Sequence, residues 1–290
     1  MASIPPDIIT EILCRLGVED LLRYRCVSKG WCSLIDSPDF IKHHLSHSRL
    51  SLLLRDRCLC SVNFDSLETS QILNHSFEEN DEYYTPKILG SCNGLVALRG
   101  DFFGEKLALW NPSTRKSIML PVSKIESIFH RFTAYRLGYD PISDDYKLVR
   151  MAQLDRESYN DDDGVSEVNF YGLRADPPRT NDNDDSFGSQ VNVYSLRTNS
   201  WRTIQEFPYY LRRSNGILAS NALHWLVSKN PQLDTSFIAA FDLGTEEYRL
   251  LEAPDCLGAE FHTEFHELYM MKAMDFKYPQ SFRSANVYDL

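Results

Sequence analysis

Leu107-Ala108-Leu109-Trp110-Asn111-Pro112-Ser113-Thr114-Arg115-Lys116-Ser117-Ile118-Met119-Leu120-Pro121 decides how the body of this chain is read. A short apolar run ends on an aromatic, Trp110, a polar segment turns the chain, and a second run follows. That order of residue types is a β-hairpin. It returns as Val191-Asn192-Val193-Tyr194-Ser195-Leu196-Arg197-Thr198-Asn199-Ser200-Trp201-Arg202-Thr203-Ile204 and as Ile238-Ala239-Ala240-Phe241-Asp242-Leu243-Gly244-Thr245-Glu246-Glu247-Tyr248-Arg249-Leu250-Leu251. The aromatics Trp110, Tyr194 and Phe241 stand 84 and 47 positions apart. One propeller blade uses about 45 to 50 residues, so the shorter spacing reads as one blade and the longer as close to two. Further strands are expected at Gly94–Leu98, Tyr146–Met151, Gly216–Ala219 and Leu223–Val227. Residues 48–254 therefore read as an all-β, propeller-like repeat domain of open blade number.

Toward the N-terminus the apolar period changes from 2 to 3.6. Pro5-Pro6-Asp7 starts a helix, with proline in the first turn and a carboxylate near the positive end of the dipole. Ile8, Ile9, Ile12, Leu13 and Leu16 then share one helical face, and Gly17 ends it. Asp20 is the expected cap of a second helix with Leu21, Leu22 and Tyr24, and Ser28 of a third with Trp31, Leu34 and Ile35. Asp36-Ser37-Pro38 is a stop, and Asp39 the expected cap of a last turn or two running to about His47. Residues 1–47 thus read as a small all-α domain.

Two segments break the pattern. Asp155 to Asp185 holds ten acidic and three basic residues, too little apolar surface to offset the entropy of ordering. We read 155–187 as an acidic mobile loop. Residues 255–290 lack the strand pattern and read as an atypical tail.

Composition narrows the function. A chain of 290 residues at 43% hydrophobic can bury a sizeable core. No run reaches the roughly 18 apolar residues of a membrane span, and Asp7, Glu11 and Arg15 interrupt the N-terminal apolar stretch, unlike a signal peptide. A cytoplasmic or nuclear protein without a membrane partner is expected. The net charge of −11 disfavours nucleic acid. Seven cysteines, odd in number and without a C-x-x-C, read as reduced thiols.

Chemical motifs are weak. There is no G-x-S-x-G, P-loop or G-x-G-x-x-G. His262 and His266 are spaced i, i+4 but lack the glutamate that follows the first histidine of a zinc helix. His43, His44 and His47 read as a solvated helix end. The aspartate runs lack calcium-loop spacing. Trp110, Trp201 and Trp225 read as blade core in preference to a sugar-binding cleft. No cofactor, metal site or catalytic residue is expected.

The helical segment offers more. Some 45 residues make a marginal core, yet they carry Ile4, Ile8, Ile12, Leu13, Leu16, Leu21, Leu22, Val27 and Trp31, more apolar surface than three helices can hide. The excess reads as half of an interface completed by a partner.

Ile4-Pro5-x-Asp7-Ile8-Ile9-x-Glu11-Ile12-Leu13-x-Arg15-Leu16, Leu21-Leu22-Arg23-Tyr24-Arg25-Cys26-Val27-Ser28-Lys29-x-Trp31 and Leu34-Ile35-x-Ser37-Pro38-x-Phe40 resemble the plant F-box from end to end. The body is similar to the F-box-associated domain through Ser91-Cys92-Asn93-Gly94-Leu95, Trp110-Asn111-Pro112-Ser113-Thr114-Arg115, Leu137-Gly138-Tyr139-Asp140, Asp144-Asp145-Tyr146-Lys147 and Leu223-His224-Trp225. Pollen S-locus and immunity-regulating F-box proteins are the analogues. The resemblance implies a substrate receptor of an SCF-type ubiquitin ligase. Ile4, Pro5, Ile8, Ile12, Leu13, Leu16, Leu21, Leu22, Val27 and Trp31 would bind a Skp-type adaptor, itself tied to a cullin–RING scaffold. The β domain would hold an unidentified protein substrate. Two departures stand out: Gly17 replaces a usual proline, and family members run on through further strands, so a fold truncated at its C-terminus is a second expectation. The rivals are a truncated competitor that binds the adaptor without a substrate, and a carbohydrate-binding propeller carrying an F-box.

Overall fold

A computed structural model describes residues 5–48, 51–55, 58–63, 70–75, 77, 85–100, 106–121, 132–153, 189–211, 216–229 and 237–251. The acidic stretch 155–187, the tail 255–290 with its His262–His266 pair, and Ile4 lie outside the described residues. These fall into two compact units divided at Leu120/Pro121.

The first unit opens with four short helices: α1 (Pro6–Leu13), α2 (Val18–Tyr24), α3 (Lys29–Ile35) and α4 (Pro38–Ser46). Pro5 precedes α1 with an extended backbone. Two of the expected caps are corrected. The N-cap of α2 is Gly17, not Asp20; Asp20 lies within the first turn, where its charge favours the dipole. Ser37, not Asp39, caps α4, its Oγ accepting the Phe40 N–H at 3.3 Å. Pro38 already occupies the first helical position, so the capping residue must precede it. Ser28 caps α3 as expected, accepting from the Trp31 N–H at 3.2 Å. Gly17, at φ −67°, already has the angle that proline imposes, and a Cβ there would meet nothing within 4 Å.

Two antiparallel sheets complete this unit. The first joins β1 (Ser51–Arg55), β2 (Leu59–Asn63) and β3 (Ser70–Leu73); the second is the meander β4 (Lys87–Cys92), β5 (Leu95–Gly100), β6 (Lys106–Asn111) and β7 (Lys116–Met119). They share one core, in which Leu53 and Leu59 meet Ile88, Val96, Leu98 and Trp110. Arg55 fastens them further, donating to the Pro86 and Thr85 carbonyls at 2.8 Å each.

The second unit repeats the plan. β8 (Phe132–Asp140), β9 (Asp145–Gln153), β10 (Ser189–Ser195) and β11 (Ser200–Thr203) form a four-stranded meander. β12 (Tyr210–Leu211), β13 (Ile217–Ala219), β14 (Ala222–Ser228), β15 (Phe237–Asp242) and β16 (Tyr248–Leu251) form the last sheet, with β12 and β13 both pairing β14. Val149, Met151 and Val193 pack against Leu223, Trp225 and Phe241 in one core.

Burial falls across each meander. β6 and β9 are buried on both faces, whereas β7 is exposed along its whole length and β11 nearly so. Strands covered on both sides lose the polar alternation of a half-exposed sheet. The outermost strand keeps a wet edge. This is the gradient of four-stranded blades in a propeller-like domain. The spacing of 84 residues is corrected accordingly: Trp110 and Tyr194 belong to sheets that follow one another in the chain, and residues 154–188, inserted between β9 and β10 of one blade, account for the excess.

Candidate functional site

The four helices pack around Leu13, Cys14, Leu21, Ile35 and Phe40, with Ile9, Leu16, Trp31 and Leu34 partly buried against them. Because α1 turns about 100° per residue, seating Ile9 and Leu13 inward sets Ile8 and Ile12 on another face. Ile8 and Ile12 are 51% and 53% exposed. They are one turn apart and so adjoin each other.

The ten residues singled out from the sequence therefore divide. Leu13 and Leu21 lie inside the helical core, Leu16 and Trp31 are half-buried against it, and Leu22 is half-buried. Pro5, Ile8, Ile12 and Val27 are exposed, and Ile4 lies outside the described residues. Two more exposed apolar side chains, Tyr24 and Ile41, went unremarked in the sequence reading of this surface. Tyr24 follows buried Leu21 by three positions on α2 but does not join it in the core. It instead stands edge-on to Trp31, ring centroids 5.9 Å apart.

Polar side chains fix the helix ends. Arg25 donates to Asp36 at 2.6 Å, joining the ends of α2 and α3, and that hydrogen bond holds the Asp36 carboxyl below the usual carboxylate range. The His44 ring bonds the Leu16 carbonyl at 2.9 Å, tying α4 to the turn after α1. His43 reaches Glu11 at 3.3 Å. Each contact is partly wet and modest in energy, but together they hold short helices that could not persist alone. Arg115, in the β6–β7 turn, approaches Glu19 of α2 at 3.7 Å. Among the described residues no cluster of His, Cys, Asp and Glu could hold a metal ion, and no helix is long and apolar enough to cross a membrane.

Trp110 and Trp225, weighed as sugar-stacking residues, are 2% and 0% exposed. Half-buried Trp201 donates its Nε1–H to the Pro121 carbonyl at 2.8 Å.

A capped four-helix module followed by hairpin-built, blade-like sheets defines a two-part architecture. Comparison with known families agrees: residues 1–43 match the F-box domain and residues 52–270 the F-box associated beta propeller domain. The chain belongs to the F-box proteins with an F-box-associated propeller domain. It is similar to F-box protein CPR1 of Arabidopsis thaliana, with 35% identity over 89% of this chain and 62% of that protein. F-box protein At4g22390 of the same plant is 30% identical over 90% of this chain and 64% of its own length. The chain thus spans somewhat less than two thirds of these relatives. Among solved structures, Pyrococcus horikoshii acylaminoacyl peptidase (12% identity, TM-score 0.34, 67% of this chain and 27% of that one) and TolB from Acinetobacter baumannii (11%, 0.36, 73% and 45%) are too distant to carry an argument.

Proposed function

We propose that this chain is the substrate-recognition subunit of an SCF-type E3 ubiquitin ligase. Its F-box docks on a Skp-type adaptor bound to a cullin–RING scaffold, and its β domain binds a protein substrate. One observation carries the reading: Ile8 and Ile12 lie half exposed on a helix whose other side already holds the helical core. An apolar face left outside a complete core suits a partner helix. Leu13 and Leu21 would support that surface from beneath; Pro5, Ile8, Ile12, Val27 and the margin of Trp31 would form it.

The chain itself would be non-catalytic. Transfer of ubiquitin belongs to other subunits, and the receptor contributes proximity, raising the effective concentration of a substrate lysine near the activated thioester. The site of action would be the cytoplasm, the nucleus or both.

The test is capture by a purified Skp-type adaptor. Truncating a buried interface residue costs on the order of 2 kcal/mol. Ile8→Glu with Ile12→Glu, which also buries charge, should weaken capture at least about tenfold while helical circular dichroism is retained, since neither residue is in the core. Undiminished capture by that folded variant would overturn the reading.

A further inference from the structure

We propose that Cys58 and Cys60 form a peroxide-responsive dithiol on the outer face of the first sheet. Their Sγ atoms lie 3.3 Å apart, in contact, and both residues are half-buried and so reachable by small solutes. The chain enforces this pairing. Leu59 between them is fully buried in the core shared with the second sheet. Strand alternation therefore sends Cys58 and Cys60 to the opposite face.

The same alternation sets their separation. Two residues of extended chain span roughly 6.6 Å, inside the roughly 4.4–6.8 Å between Cα atoms that a disulfide tolerates. β2 begins at Leu59, which pairs with Arg55 and Leu73. Cys58 precedes that ladder and can shift toward its neighbour without breaking a strand pair. Cys60 lies within the ladder, in register with Leu54 and Ile72, which are 40% and 67% exposed. Closing the pair therefore alters an apolar surface and not the core.

The chemistry balances with a hydroperoxide as oxidant. One thiol releases its proton and its thiolate attacks an oxygen of hydrogen peroxide; the O–O bond breaks, the departing hydroxide takes up a proton, and a sulfenic acid and water form. The second thiolate attacks that sulfur and displaces its oxygen as another water, leaving the S–S bond. Each sulfur gives one electron, and the peroxide takes up both. Two equivalents of a small thiol reverse the step by exchange, with the bridge's sulfurs reduced and the small thiol oxidised to its own disulfide. A solvent-accessible bridge of this kind is the readily reduced, regulatory type.

The test uses the whole chain and hydrogen peroxide. Arg57 and Lys87 bound a tryptic peptide that contains Cys58 and Cys60 and no other cysteine, so a bridge within it is distinct in mass from any bridge to another peptide. Brief peroxide should protect both thiols from alkylation in that one peptide, and dithiothreitol should restore both. Cys58→Ser and Cys60→Ser should each abolish the bridged peptide, the remaining sulfur being trapped by dimedone as a sulfenic acid. Exposed Cys26 should still be alkylated in the same sample. If the two thiols oxidise singly to sulfenic or sulfinic acids with no bridge between them, or Cys60 of Cys58→Ser is instead found bridged to another cysteine peptide as readily, the proposal fails.

Discussion

Lys147 brings its ammonium, with only 8% of the side chain exposed, to the Asp140 carboxylate at 2.9 Å, the Glu246 carboxylate at 3.0 Å and the Leu243 carbonyl at 2.5 Å. Arg202 joins through Glu246. Removing two charges from water costs several kcal/mol each, so such a pair holds only when every lone pair and proton is met. Asp140 meets that condition by also accepting from the Ile142 N–H at 2.9 Å and the Ser143 hydroxyl at 2.5 Å. Burial alone would raise its pKa, but the hydrogen bonds from Ser143, Lys147 and Ile142 outweigh burial and hold it below the ordinary value. The sign follows. The unfolded carboxyl titrates near 3.9, so the stabilising contribution is present above about pH 4 and is lost as pH falls through the lower folded value. Asp140→Asn should lower stability at neutral pH by on the order of 3 kcal/mol. Its urea midpoint should also fall less steeply than the parent's between about pH 5 and pH 3. Parallel pH curves would mean that the charge is not what stabilises this site.

The hairpins share a turn device that the sequence showed only in part. Asn111 accepts the Thr114 N–H at 3.0 Å, Ser195 the Thr198 N–H at 3.2 Å and Asp242 the Thr245 N–H at 2.9 Å. The residue after each donor, Arg115, Asn199 and Glu246, has a positive φ of 58°, 49° and 61°. The β8–β9 turn uses the same ends, with Asp140 accepting and Asp144 at φ 52°. A left-handed residue without glycine is costly by about 1–2 kcal/mol and persists because the flanking strands require that turn. Arg115→Val should therefore lower stability by about 1–2 kcal/mol and Arg115→Gly should not, as measured by urea unfolding; equal effects would place the cost in the lost Glu19 contact. Three hairpins were legible because an aromatic strand end precedes a polar turn. The three strands β1 to β3 were not: the first reads as a bare leucine run, Leu52-Leu53-Leu54, without the alternation that marks a half-buried strand. The caps at Asp20 and Asp39 were misassigned because several polar residues crowd each helix start, and only backbone geometry selects among them.

At the scale of the whole chain, family and fold class were legible because local propensity and pattern agree along most of its length. Which apolar residues face outward was not, since Ile8 and Ile9, or Ile12 and Leu13, are chemically alike and only packing separates them. That packing also bears on how damage spreads. Among the described residues the F-box core draws only on the four helices, while Trp225 is fully buried in the core of the second unit. Trp225→Ala should cost about 3–5 kcal/mol through lost burial and a cavity, a large share of the 5–15 kcal/mol that holds a typical domain. Trp225→Phe should cost much less, since it keeps an aromatic ring and removes an indole N–H that has no partner among the described residues. If the proposed function is right, Trp225→Ala should lower the β domain's thermal transition and abolish substrate capture, yet leave adaptor capture at the parent's level. Ile8→Glu with Ile12→Glu should do the reverse. A Trp225→Ala chain that loses the adaptor as well would mean that the helical module depends on the second unit for its own fold, and adaptor docking and substrate recognition would then be one cooperative property instead of two separable ones.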